Sequence, residues 1–334
     1  MQTVGIIAEY NPFHNGHAYQ AKQARRLTNA DTVIAVMSGH FTQRGEIAII
    51  DKWHRAETAV HSGIDLVLEL PAVFAVRSAQ FFAAGGVRLL QKLGIVDYLS
   101  FGAENADLNS LTAAASGLAD PLVTEKLKLG LGRGKNYAAA LADALVTQGY
   151  TAHDFIISPN NILAVEYLRA LSQYAPTIQP LPVRRIGSGF HDRSFSGSYS
   201  SATAIRSELY RATAITPPLR TAMPTSTTTI IDALMQNGSA PANISALENT
   251  LLAKLRSLSD MELLAAPEIS EGLENRLKTA SRNAGTLSEL LALAKTKRYP
   301  FSRLQRLLIH LLLGTQRRQI EEFDASGPLY ARVL

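Results

Sequence analysis

The chain has 334 residues, 46% of them hydrophobic and 18% charged, with a net charge of +5 and a pI near 9.4. This length and apolar content exclude a disordered or fibrous chain and suit one large core, more naturally two domains. The absence of cysteine excludes disulfides and thiolate metal sites and agrees with a reducing compartment.

In chain order, residues 2–8 predict a buried strand, the Asn11-Pro12 turn follows, and 16–27 predict a helix. No basic leader or small-residue cleavage site precedes that strand, so a cytoplasmic location is the expectation. Strands are predicted over 31–37, 65–69 and 98–101, with helices over 52–62 and 79–93 between them. Strand and helix alternating at this spacing predict βαβ units and a parallel sheet, whose ligands bind at the carboxyl ends of the strands. The segments 9–17, 38–46 and 102–105 lie at those ends.

Residues 108–146 predict helices inserted into the sheet domain. An apolar strand opens 155–171 and passes through Ser158-Pro159-Asn160-Asn161 into a helix, and a further strand is predicted over 182–186. The Pro- and Thr-rich stretch 216–229 predicts a linker or domain boundary, and 230–315 predict a mainly helical region. Its most apolar run, 304–313, is interrupted by Gln305, Arg306 and His310 and is too short to span a bilayer. From Lys295 to Arg318 the chain carries Lys297, Arg298, Arg303, Arg306 and Arg317 with no acidic residue. That density suits a polyanion, or a solvated helix face.

Two motifs carry chemistry. Asn11-Pro12-Phe13-His14-Asn15-Gly16-His17 follows the first strand and opens the first helix. Its histidines fall near one helix N-terminus, where free backbone N–H groups and the helix dipole favour phosphate. Gly16 permits close approach of a nucleotide, and imidazole N–H groups stabilise charge developing on phosphate oxygens. A bare His-x-x-His is otherwise a metal site or incidental. In Ser200-Ser201-Ala202-Thr203-Ala204-Ile205-Arg206, hydroxyls cluster at a helix cap with a cation one turn on, a second setting for phosphate. Gly130-Leu131-Gly132-Arg133-Gly134-Lys135 lacks the spacing of a phosphate loop, with Asn136 where Ser or Thr belongs. His54 and His61 lack the spacing of a zincin helix, so no protein metal site is expected. Lys22, Asp51, Lys52 and Arg55 suit either a salt-bridged face or substrate contact, and Trp53 is expected in the core.

His14-Asn15-Gly16-His17 resembles the His-x-Gly-His motif of the nucleotidyltransferase superfamily, and the segment 200–206 resembles its second motif with one extra residue. Further stretches make the whole chain similar to the bacterial tRNA(Met) cytidine acetate ligases. They are Met37-Ser38-Gly39 with Gln43-Arg44-Gly45-Glu46, Asp51-Lys52-Trp53 with Arg55, and Asp65-Leu66-Val67-Leu68-Glu69-Leu70-Pro71. Phe101-Gly102-Ala103-Glu104, Arg185-Ile186-Gly187-Ser188-Gly189-Phe190-His191-Asp192 and Thr296-Lys297-Arg298-Tyr299 extend the likeness. His40, Thr42 and Ile47 depart from it.

The resemblance implies an α/β fold: a Rossmann-like, HIGH-type parallel sheet with helices on both faces, plus a mainly α-helical C-terminal domain. Residues 1–215 would form the ATP-binding catalytic domain, with a helical insertion at about 106–150, and 216–334 a basic tRNA-binding domain. It further implies activation of acetate by ATP as acetyl-adenylate, releasing pyrophosphate. Acetyl transfer to N4 of the wobble cytidine of elongator tRNA(Met) follows, releasing AMP. No membrane or DNA partner is implied, and ATP is expected as its magnesium complex.

Carried onto this chain, the catalytic residues are His14, His17, Ser201, Thr203 and Arg206. The ATP contacts are Ile7, Ala8, Glu9, Tyr10, Asn11, Pro12, Phe13, His14, Asn15, Gly16, His17, Ala18, Tyr19, Gln20, Gly102, Asn160 or Asn161, and Arg185. The tRNA contacts are Lys297, Arg298, Arg303 and Arg306. The rival readings are an adenylyltransferase acting on a phosphorylated cofactor precursor and a non-catalytic protein that binds ATP and tRNA.

Overall fold

The structure is a computed structural model that describes residues 1–135, 137–150, 158–187, 195, 197–270, 272–329 and 331–334. The strand expected before Ser158, the stretch Ser188-Gly189-Phe190-His191-Asp192 and Asn136 lie outside the described residues.

Chain order runs β1 (Thr3–Ala8), α1 (Asn15–Thr28), β2 (Thr32–Ser38), α2 (Lys52–Val60), β3 (Leu66–Leu70), α3 (Ala72–Ala75), α4 (Ala79–Leu93) and β4 (Tyr98–Ala103). Three helices follow, α5 (Leu108–Gly117), α6 (Pro121–Gly132) and α7 (Tyr137–Thr147), then α8 (Pro159–Tyr174) and β5 (Gln179–Arg184). The sheet order is β5-β4-β1-β2-β3-β6, where β6 (Arg332–Val333) is a short antiparallel edge and the other pairs are parallel. The apolar runs of β1 and β2 are buried on both faces. Val4, Ile6, Val33 and Ala35 meet Ala21 and Ala24 of α1 and Ala56 of α2, whereas Ile7, Ile34 and Val36 join the cluster of α4 and α8. Such two-sided burial needs continuous hydrophobic strands, which is what these sequences supply.

From β1 the chain moves outward through β2 and β3, then returns to place β4 on the other side of β1. The strand order therefore reverses at the β4–β1 junction, and that reversal opens a crevice at the carboxyl ends of the two strands. Strand β5 begins three residues before the expected position and contains Pro180 and Pro182. It lies at the sheet edge, where a missing N–H costs no ladder bond.

The expected linker is helical: α9 (Ala202–Leu209) is followed by α10 (Pro217–Ala222) and α11 (Thr225–Gln236). Its prolines start helices instead of breaking them, since Pro217 and Pro218 occupy the first turn of α10 and Pro224 precedes α11. Leu219, Ala222, Ile231 and Leu234 pack on Ile49, Ile50, Ile205 and Leu209, so the boundary expected at 215/216 falls inside one apolar cluster. A separate helical core unites Leu251, Leu263, Leu277, Leu290, Leu304, Leu307 and Leu311. It is built from α12 (Glu248–Ser257), α13 (Asp260–Leu264), α14 (Leu273–Asn283), α15 (Leu287–Ala294) and α16 (Phe301–Leu313). The chain then returns to the sheet domain through α17 (Arg317–Ser326), with Phe323 against Phe74 and Asp324 paired to Arg77 at 3.1 Å. Among the described residues no helix is long and apolar enough to cross a membrane.

Candidate active site

The β1–α1 connection is built to hold two imidazoles. His14 is the N-cap of α1, and Gly16 N–H donates to its Nδ1 at 3.0 Å. His14 N–H in turn donates to Nδ1 of His17 at 3.3 Å. A Cβ on residue 16 would stand 2.8 Å from Cε1 of His14, so only glycine leaves room for the ring. With each Nδ1 accepting a backbone proton, each neutral ring carries its hydrogen on Nε2 and donates from there. The rings stack at 3.7 Å and 21°. Burial, with help from Arg185 and Arg206, holds His14 down to about 3, and burial likewise keeps His17 well below the usual imidazole value. Both are thus neutral donors at physiological pH. Tyr10 sustains the loop in a left-handed conformation, φ 43°, with its ring edge-on to Phe13 at 4.7 Å and His17 at 4.9 Å.

The second motif meets the first. Ser201 caps α9 by accepting from Ala204 N–H, and Arg206, one turn on, donates to the carbonyl of Asn11 at 2.9 Å. Asn15 ties the same loop to the carbonyls of Ser198 and Thr221 at 2.9 and 2.8 Å. The two segments, nearly two hundred residues apart in sequence, thereby form facing walls of one cleft of about 390 Å³.

Ile7, Ala8, Glu9, Tyr10, Asn11, His14, His17, Gln20, Gly102, Asn160, Arg185, Ser201, Thr203 and Arg206 line that cleft. The remaining residues expected to touch ATP lie behind it or beside it. Phe13 and Pro12 are buried, Ala18 of α1 packs against the cluster of Tyr10 and Phe13, and Gly16 and Tyr19 border an adjoining hollow with Arg184 and Tyr199. Asn160 and Asn161 separate cleanly. Asn160 faces the cleft, with Nδ2 on Glu104 at 2.5 Å, and Asn161 is buried, its Oδ1 accepting the N–H groups of Glu104 and Asn105. Asn161 therefore holds the loop after β4 in place.

Several lining residues were absent from the expected site. Gln43, Arg44 and Glu46 come from the β2–α2 loop, and Phe82, Leu163 and Tyr167 from α4 and α8. The first three sit at the carboxyl end of β2, and that position was the available signal. The helical residues had none, because a cleft-facing Phe or Leu has the periodicity of a core residue. The β2–α2 loop is closed by a Phe41–Ile47 bridge, and Thr42 accepts Gly45 N–H on its carbonyl and Glu46 N–H on its hydroxyl. Gly45, at φ 77°, packs where a Cβ would come within 2.4 Å of the Arg306 backbone nitrogen, so this loop seats α16 against the active-site wall.

Two of the ambiguous cations have partners within the fold, whereas Lys22 is exposed on α1. Lys52 pairs with Glu69 at 2.7 Å, and buried Arg55 donates to the carbonyls of Glu9 and Ser38 at 2.5 and 2.9 Å. Trp53, expected in the core, is 50% exposed because it lies on the outer face of α2. In the basic segment, Lys297 and Arg298 are exposed on the α15–α16 turn. Arg303 and Arg306 turn inward: Arg303 holds the Glu268 carbonyl at 2.9 Å, and Arg306, 8% exposed, holds the Glu268 carboxylate at 2.8 Å.

A reversed parallel sheet whose crevice is capped by a neutral His-x-Gly-His pair and an arginine is the arrangement of a nucleotidyltransferase, and the family described as HIGH Nucleotidyl Transferase matches residues 1–334. The tRNA(Met) cytidine acetate ligase of Halothermothrix orenii is 38% identical over 352 residues, covering 100% of this chain and 82% of that protein. That of Syntrophomonas wolfei is 41% identical over 342 residues, covering 100% and 81%. The crystal structure of apo Thermotoga maritima TmcAL superposes with a TM-score of 0.92 at 35% identity, covering 100% of this chain and 80% of that one. The same protein bound to alpha-thio ATP superposes at 0.90 with 33% identity and the same coverage. Within the HIGH nucleotidyl transferases, the chain belongs to the family of tRNA(Met) cytidine acetate ligases.

Proposed function

We propose that this chain activates acetate with ATP and transfers the acetyl group to N4 of the wobble cytidine of elongator tRNA(Met). The observation that carries the reading is the hydrogen bond from Arg206 to the Asn11 carbonyl, which puts both phosphate-binding motifs on one cleft. In the first step an acetate oxygen attacks the α-phosphorus, the α–β bond breaks, and the electron pair leaves with pyrophosphate. Nε2–H of His14 and His17 donates to the triphosphate oxygens, and Ser201, Thr203 and Arg206 neutralise the leaving group. Gly102, Asn160 and Arg185 surround adenine and ribose at the ends of β4 and β5. Magnesium would come with the triphosphate and offset its charge.

In the second step the cytidine amine attacks the acetyl carbon and AMP departs. A mixed anhydride is needed because an aromatic amine is a weak nucleophile and acetate a very poor acylating agent. The cleft then acts by positioning and electrostatics, with no covalent enzyme intermediate.

We assign Lys297 and Arg298 to the tRNA backbone. Arg303 and Arg306 instead hold the surface in shape through Glu268. The α6–α7 turn reaches the same place, since a Cβ at Gly134 would lie 3.5 Å from Cδ of Lys297. Exposed Arg133 beside it extends the basic surface from the insertion onto the helical region.

The test is to incubate the protein with ATP, acetate and bulk tRNA and to analyse the nucleosides by mass. Acetylated cytidine confined to elongator tRNA(Met), together with acetate-dependent exchange of pyrophosphate into ATP, is the expected result. Exchange that ignores acetate and requires a phosphorylated precursor would make the protein an adenylyltransferase instead.

A further inference from the structure

Almost every polar side chain that faces the cleft is a donor: the two imidazole Nε2–H groups, Arg185, Arg206, Ser201 and Thr203. Two carboxylates face it as well. Glu46 is committed to Arg206 at 3.4 Å. Glu9, at the end of the strand Thr3–Ala8, has one hydrogen bond among the described residues, from the backbone N–H of Gln43 at 2.5 Å, and no ion-pair partner there. Arg55 fixes it from behind by gripping its carbonyl at 2.5 Å, so the main chain at Glu9 is held while the carboxylate stays open to the cleft.

The reaction has one use for such a group. Acetate enters the first step already ionised, so no proton moves. In the second step the amine brings N–H protons that must leave as the C–N bond forms. We propose that Glu9 is the base that takes this proton, an inference that rests on the acetyl-adenylate reading above. The nitrogen lone pair forms the new bond to the acetyl carbon, the C–O bond to phosphate breaks, and its electron pair leaves with AMP. The N4 proton passes to a Glu9 carboxylate oxygen and then to water.

The electrostatic setting agrees. Removal from water raises the Glu9 carboxyl above the ordinary carboxylate range, the Gln43 N–H opposes this, the Glu46 charge adds to it, and Arg206 and Arg44 oppose it. The other charged or titratable neighbours are Arg55 behind and Tyr167 on the cleft floor, whose phenol burial keeps protonated. A carboxylate raised toward neutral pH accepts a proton more readily than a solvated one.

The test uses Glu9→Gln, which keeps an oxygen for the Gln43 N–H, and Glu9→Asp, with thermal unfolding as the check on folding. Acetate-dependent pyrophosphate exchange reads the first step, and single-turnover acetyl transfer to tRNA from enzyme-bound acetyl-adenylate reads the second. For Glu9→Gln, transfer should fall at least about 100-fold further than exchange. The acidic limb in the wild-type pH profile of transfer should vanish in Glu9→Gln and persist, at a lower rate, in Glu9→Asp. Equal losses in both steps with a raised magnesium requirement would place Glu9 on ATP and overturn the proposal. Undiminished transfer would overturn it too, naming the leaving phosphate as the proton acceptor. If Glu9→Gln fails to fold, loss of the acidic limb in folded Glu9→Asp overturns it and its persistence supports it. Wild-type enzyme without acetate-dependent exchange would be a different failure, that of the ligase reading itself.

Discussion

The histidine loop and the basic segment 295–306 are both dense in polar side chains, and the fold treats them in opposite ways. In the loop the side chains proposed to meet phosphate are pinned by backbone. Gly16 and His14 N–H groups lock the two imidazoles, and Arg206 closes on the Asn11 carbonyl. In the basic segment the side chains divide. Lys297 and Arg298 face solvent, while Arg303 and Arg306 are consumed by Glu268. Where function depends on backbone geometry a few residues apart, sequence spacing is informative. Where it depends on which way a long cation points, a single acidic residue arriving from elsewhere decides the outcome.

Four experiments sharpen or break that contrast, taken from the largest effect down. His17→Ala removes a preorganised donor and should lower pyrophosphate exchange about 1,000-fold, roughly 4 kcal/mol in barrier, with tRNA affinity retained. Retained exchange would mean that the pinned ring does not meet phosphate. Arg306→Met should remove the closer of the two cations paired with the Glu268 carboxylate, leaving Arg303 at 3.8 Å, and cost about 2 kcal/mol in denaturant unfolding. An unchanged midpoint, with weakened tRNA binding, would return Arg306 to the RNA surface.

The third experiment is a pH series. The folded value of His14 lies below that of a free imidazole, so the unfolded chain takes up the proton first. Stability is therefore intact above about pH 6.5 and falls as the pH drops toward 3, by about 1.4 kcal/mol per pH unit from this residue. Buried His310, whose Nε2 lies 2.8 Å from the Val76 carbonyl and which is held down to about 4, acts with the same sign. His14→Asn should flatten this slope in unfolding measured between pH 7 and 5, and an unchanged slope would show that His14 titrates normally. The smallest effect is expected from Lys297→Ala with Arg298→Ala. Affinity for tRNA should fall about fivefold, and the salt dependence of binding should lose a slope of about 0.7 to 0.9 per removed phosphate contact. Thermal stability should not change, and a salt slope equal to wild type would remove this turn from the RNA surface.

Strands β1 to β4, helices α1, α2 and α4, and the two motifs that meet on the cleft were legible in the chain, because they rest on local patterns. Those patterns are apolar runs of strand length, helical periodicity, and glycine between two histidines at a helix start. Other features misled for physical reasons. Prolines at 217, 218 and 224 read as a linker because proline breaks a helix interior, yet each stands at a helix start, where its missing N–H costs nothing. Pro180 concealed the beginning of β5, since only an edge position tolerates proline there and edges are set by strand order.

The amino-acid sequence by itself thus determined the sheet-forming units, the histidine pair at the start of α1 and the family to which the chain belongs. The tertiary structure alone decided that Arg206 closes on the Asn11 loop, that Asn160 and not Asn161 reaches the cleft, and that Arg206 pairs with Glu46 while Glu9 has no ion pair among the described residues. Each of these depends on contacts between segments far apart in the chain. Burial and pairing, which set what a charged group does, come into being only when those segments meet.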